Sequence, residues 1–72
     1  MFEIKAEIAA TVWQVVAEEG QMVAEGDEIV ILESMKMEIP VLTEVPGVVR
    51  EIHVEPEDVV QEGDLIALID ES

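Results

Sequence analysis

Sliding the chain by 37 positions lays residues 1–35 over residues 38–72 without a gap, and this duplication limits the folds available to the sequence. Eight of the 35 aligned pairs are identical: Glu7/Glu44, Val12/Val49, Glu18/Glu55, Val23/Val60, Glu25/Glu62, Gly26/Gly63, Asp27/Asp64 and Ile29/Ile66. A composition rich in Glu and Val yields about three by chance. Other pairs keep their character, among them Ile4/Val41, Val15/Ile52, Leu32/Ile69 and Glu33/Asp70. Two copies leave Lys36 and Met37 unmatched at the junction. If a pseudo-twofold axis relates the halves, the point matching that junction is where the chain begins and ends. The lysine then occupies one pole of the molecule and the termini the other.

Within each half the pattern is that of short strands between turns. Phe2–Ile8 alternates apolar and charged residues, as a half-buried strand does. Thr11–Val16 and Val48–Val54 are rich in β-branched residues and correspond across the repeat. Glu25-Gly26-Asp27 and Glu62-Gly63-Asp64 are turn signals, followed by strands over Ile29–Leu32 and Leu65–Ile69. Pro46-Gly47 and Pro56 mark further breaks, and no helical period is sustained. About eight short strands in two related halves predict an all-β sandwich or flattened barrel, a single domain over 1–72.

Seventy-two residues with one Trp, one Phe and no Tyr leave little material from which to shape an enzyme pocket. A chain of this kind suits a non-catalytic carrier or adaptor. Eighteen Asp and Glu against three Lys and Arg give a net charge of −15, which repels nucleic acid and anionic membrane and favours partners with basic surfaces. Without cysteine there is no disulfide or thiolate zinc site, and one histidine cannot form a metal centre alone. No signal segment or membrane-length apolar run is visible, so a cytoplasmic location is expected. A monomer is expected as well. Met1 directly before the first strand favours a free-standing protein.

Lys36 falls between strands expected over 28–33 and 37–42, so its amine should project from a tight turn into water. Met35 and Met37 flank it, two flexible apolar side chains that solvent does not explain but a partner's cleft does. A solvated lysine amine carries its proton near neutral pH and is a poor nucleophile. Glu33 and Glu38 favour the cation further, so a second protein must supply the activation.

Glu33-Ser34-Met35-Lys36-Met37 resembles the E-A-M-K-M attachment motif of biotinyl domains, in which the central lysine carries biotin. The resemblance takes in the preceding Glu-Gly-Asp turn, the Pro46-Gly47 that opens the second half and the second Glu-Gly-Asp turn. It implies two four-stranded antiparallel sheets with quasi-twofold symmetry and the acceptor lysine in a hairpin turn. It further implies covalent biotin on Lys36, attached by a biotin protein ligase that recognises Met35, Met37, Glu33, Ser34 and Glu38. The biotinylated domain would then shuttle a carboxyl group between biotin carboxylase and carboxyltransferase active sites. Ser34 replaces the usual Ala and is an intermediate feature, because related lipoyl domains resemble E-T/S-D-K-A, so lipoate on Lys36 is the alternative. Ala10 stands where many members have Gly, as Gly47 does in the second half. The gapless repeat leaves no room for a protruding thumb, so the closer likeness is to thumbless biotinyl domains or small stand-alone attachment proteins. Elsewhere, Lys5 reads as a strand-face lysine, His53 as a surface residue, and Trp13 as packing.

Overall fold

Each Glu-Gly-Asp segment closes a turn in which the aspartate bonds back to the chain. A computed structural model describes residues 1–71; Ser72, the last position of the second copy, lies outside the described residues. In the first copy the Ala24 amide donates to Asp27 Oδ2 (2.9 Å) and the Asp27 amide to the Ala24 carbonyl (3.0 Å). Gln61 and Asp64 repeat both bonds, at 2.8 and 3.0 Å. The third residue of each turn must take positive φ, and Gly26 and Gly63 supply it at 90° and 91°.

These turns separate eight strands: β1 (Phe2–Lys5), β2 (Ala10–Val15), β3 (Met22–Val23), β4 (Glu28–Ser34), β5 (Met37–Leu42), β6 (Gly47–Ile52), β7 (Val59–Val60) and β8 (Leu65–Glu71). They pair antiparallel in two four-stranded sheets, ordered β1-β8-β6-β3 and β5-β4-β2-β7. Strands β2, β3 and β4 begin and end 37 residues before β6, β7 and β8. Moving every strand to its sister converts one sheet order into the other. Even the bulges correspond, since the ladder skips Trp13 on β2 and Arg50 on β6.

The core lies between the sheets and is itself paired by the repeat. Val12/Val49, Val23/Val60, Ile29/Ile66, Val30/Ala67 and Leu32/Ile69 are all buried. Burying one Val, Leu or Ile side chain contributes about 1.5–3 kcal/mol, so these pairs, Ala67 apart, contribute strongly to folding. Among the described residues Thr43 is the one buried polar residue; its hydroxyl donates to the Val45 carbonyl (2.7 Å) and accepts from the Val45 amide (3.2 Å). The sandwich is open rather than a closed barrel: edge strands β1 and β5 line a groove of about 720 Å³.

Two expectations need adjusting. Strand β1 ends at Lys5 rather than Ile8. The Ala6 amide and carbonyl bond to Asp64 and Gly63, and beyond them the chain crosses to the other sheet, leaving Ile8 exposed. Trp13 does not pack into the core. The bulge turns both Trp13 and Gln14 outward, and Trp13 is 48% exposed.

Candidate functional site

Strands β4 and β5 form the hairpin with the most extensive pairing to a neighbour, from Glu28↔Leu42 through Ser34↔Met37. That last pair leaves two residues, Met35 and Lys36, to turn the chain. A two-residue hairpin of type I′ requires positive φ at both central positions and usually recruits Asn-Gly. Here Met35 and Lys36 take φ of 53° and 65°. L-residues with larger side chains are strained there by about 1–2 kcal/mol each, and such strain persists only where the surroundings enforce it. The enforcement is the ladder behind the turn, with Leu32 buried and paired to the half-buried Ile39.

The turn holds its side chains away from the body of the protein. Met35 is 89% and Met37 60% exposed, and Lys36 and Glu33 are exposed while Ser34 is half-buried. The methionines therefore add nothing to the core. Lys5 pairs with Glu3 at 3.3 Å and Arg50 with Asp70 at 3.8 Å, but no carboxylate among the described residues lies within 4.0 Å of the Lys36 amine. Glu33 and Glu38 face each other across the ladder just behind the turn. Like charges in register oppose strand pairing, so these two weaken the hairpin while surrounding its tip with negative potential.

The strand directions put the termini far from this turn. Val59 pairs with Thr11, which pairs with Glu33 beside the tip. A few residues later β8 departs and runs to Glu71, alongside β1 with its start at Phe2. In a molecule measuring 35 × 17 × 17 Å, the lysine and the chain ends lie toward opposite poles of the long axis. His53, exposed and bonded to Glu51 at 2.7 Å, lies on the sheet opposite the hairpin and takes no part in the site.

The β-sandwich thus holds Lys36 exposed at a strained hairpin tip, without an ion-pair partner among the described residues. A covalent group on the amine would meet no steric obstacle there. Residues 3–69 match the family model for the biotin/lipoyl domain, described as biotin-requiring enzyme. The chain is 54% identical over 67 residues to the biotinylated protein TB7.3 homolog of Mycobacterium leprae, covering 93% of this chain and 94% of that protein. Its fold is similar to a segment of urea carboxylase from Kluyveromyces lactis, with a TM-score of 0.91 and 35% identity over 96% of this chain and 6% of the other. The lipoyl domain of the 2-oxoglutarate dehydrogenase complex from Azotobacter vinelandii is also similar, with a TM-score of 0.82 and 30% identity over 99% and 98% of the two chains. The chain belongs to the biotin/lipoyl attachment domain family, whose members are carriers rather than catalysts.

The hairpin brings Lys36 together with Glu33, Ser34, Met35, Met37 and Glu38, the residues that the sequence motif singles out. Sequence reasoning missed the exposure of Trp13, because a bulge has no signature in residue types alone. It also missed the positive φ of Met35 and Lys36, since neither residue favours that conformation.

Proposed function

We propose that Lys36 is covalently biotinylated and that the domain carries a carboxyl group between the biotin carboxylase and carboxyltransferase sites of a biotin-dependent carboxylase. The observation behind this reading is the Met35-Lys36 turn: an exposed amine at a strained tip, with no carboxylate within 4.0 Å among the described residues, flanked by two exposed methionines outside the core. Likeness to the biotinylated homolog and to a segment of urea carboxylase supports the choice of cofactor and of enzyme class.

The domain lacks an obvious base for its own lysine, so the chemistry of attachment belongs to a biotin protein ligase. In that enzyme's site Lys36 Nζ loses its proton and attacks the acyl carbon of biotinyl-adenylate. An amide bond forms and AMP leaves. Biotin, when attached, supplies the ureido nitrogen that takes up and gives up the carboxyl group. The residues of this chain contribute placement. A fixed turn limits where the arm can swing from, and attachment to a shared scaffold raises its local concentration at both sites.

Lipoylation of Lys36 is a second reading, favoured by Ser34 in place of Ala and by the likeness to the Azotobacter lipoyl domain. Incubating the unmodified protein with biotin protein ligase, biotin and ATP distinguishes the readings. Biotin should enter the native chain stoichiometrically, and Lys36→Arg should abolish incorporation while leaving the circular dichroism spectrum unchanged. Label retained by Lys36→Arg, or incorporation of lipoate alone by the corresponding lipoate ligase, would overturn the biotin assignment.

A further inference from the structure

The duplication supplies an internal control for the surface. Each outward position of the hairpin's sheet, β5-β4-β2-β7, has a sister 37 residues away on the other sheet, held by the same backbone. Core positions have kept their apolar character on both sides, but five outward positions have diverged together. Trp13, Gln14, Val16, Pro40 and Leu42 on the hairpin's sheet correspond to Arg50, Glu51, His53, Glu3 and Lys5 on the other. All five of the latter are engaged in ion pairs, Lys5–Glu3 at 3.3 Å, His53–Glu51 at 2.7 Å and Arg50–Asp70 at 3.8 Å. Charge covers that face except at its β3 edge, where Met22 is exposed. The sister sheet leaves all five uncharged and exposed around the half-buried Ile31.

The register joins Trp13, Gln14, Pro40 and Leu42 into one patch around Ile31. Gln14, Ile31 and Pro40 form a single cross-strand row with Trp13 bulged beside it, and Leu42 sits two residues beyond Pro40. Glu28 lies opposite Leu42 on the same face, while Glu33 and Glu38 close the end nearest the turn. The patch is therefore apolar at its centre with a carboxylate rim. It starts about four residues from Lys36, or roughly 13 Å along the strand at ~3.3 Å per residue. A second copy of this chain is a poor occupant, because a twofold contact would set the Glu28, Glu33 and Glu38 rims of two molecules, each of charge −15, against each other. The complementary surface has an apolar socket framed by Lys and Arg.

We propose that this face is where biotin protein ligase grips the domain while Lys36 is modified, with Trp13 as the anchor. The inference rests on the biotin reading given above. A two-residue turn offers an enzyme little to hold, whereas the sheet continuous with it fixes the lysine's pose. Exposed Trp side chains seated in apolar sockets are the usual carriers of interface energy.

The test uses purified biotin protein ligase, biotin and ATP with the full-length unmodified protein, reading KM and kcat separately. One triple variant, Trp13→Arg, Pro40→Glu and Leu42→Lys, gives the hairpin's sheet the residues its sister already tolerates at those positions and changes net charge by only one. The mirror variant, Arg50→Trp, Glu3→Pro and Lys5→Leu, makes the reverse change on the other sheet. The first should raise KM about tenfold or more with kcat within twofold; the mirror should change neither beyond twofold. Trp13→Phe should recover most of the native KM, and raising salt from about 0.05 to 0.5 M should raise the native KM by screening the rim. Should the triple variant not fold, the exposed single change Trp13→Glu must show the same KM effect.

An unchanged KM, equal effects of the two triples, or a loss in kcat alone would overturn the proposal. So would a dimer of the native protein that Trp13→Glu dissociates, since the patch would then belong to a second copy. Failure of the native chain to accept biotin at all would remove the biotin reading, and the docking proposal with it, an outcome distinct from normal biotinylation with unaltered KM.

Discussion

Asn-Gly is what a two-residue hairpin turn ordinarily contains, and here it contains Met-Lys. The conformational cost falls on Met35 and Lys36, and it explains why residue types marked the place of the turn but not its positive φ. Another position shows the same cost. The turns Glu18-Glu19-Gly20-Gln21 and Glu55-Pro56-Glu57-Asp58 are sisters, each closed by an amide-to-carbonyl bond of 3.1 Å. Gly20 has φ of 90°, but Glu57 takes φ of 78° with a side chain that disfavours it. Pro56 supplies the φ that the preceding position of such a turn wants. Glu57→Gly should therefore stabilise the protein by about 0.5–1 kcal/mol, the relief of the left-handed conformation exceeding the added entropy of an unfolded glycine. Urea denaturation would show it as a higher midpoint at constant slope; a lower midpoint would mean that Glu57 makes a compensating interaction in the folded state.

Strand placement was legible in the sequence wherever a strand was long enough to show its period. The hairpin strands and the long sister pairs stand out through Val and Ile content and through the repeat. Strands β3 and β7 did not, because Met22-Val23 and Val59-Val60 are too short to establish alternation. The outward face of β2 was misread for a different reason: one extra residue in the ladder shifts the alternation, so Trp13 and Gln14 share a side. The Pro46-Gly47 element, visible in the sequence as a break, has a steric explanation. Strand β6 begins at Gly47 so close to β8 that a Cβ there would fall on the Asp70 carbonyl oxygen. Ala10, its sister, is buried and carries a Cβ in the same place on the other sheet, so the two junctions are not equally tight. Gly47→Ala should thus cost about 2–3 kcal/mol by overpacking, whereas Ala10→Gly should cost about 1 kcal/mol or less. Thermal unfolding of the two variants measures the difference, and equal shifts would show that the close approach at Gly47 relaxes freely.

Taken whole, the molecule is a nearly symmetric sandwich that has been put to asymmetric use. Both halves keep corresponding strands, turns and core, yet among the described residues only the junction carries a lysine at a hairpin tip, and only one outer face lacks ion pairs. The fold and the position of the lysine follow from the duplication and its unmatched residues. The choice between biotin and lipoate as the group proposed for Lys36 does not, because biotinyl and lipoyl domains share the architecture. Everything proposed about carboxyl transfer depends on what Lys36 carries in the cell. Intact-mass spectrometry of the protein purified from its native cells, followed by fragmentation of the peptide containing Lys36, measures this directly. The expected result is a gain of one biotinyl amide, located on Lys36 and absent from Lys5; an unmodified Lys36 throughout, or a lipoyl group in its place, would contradict it.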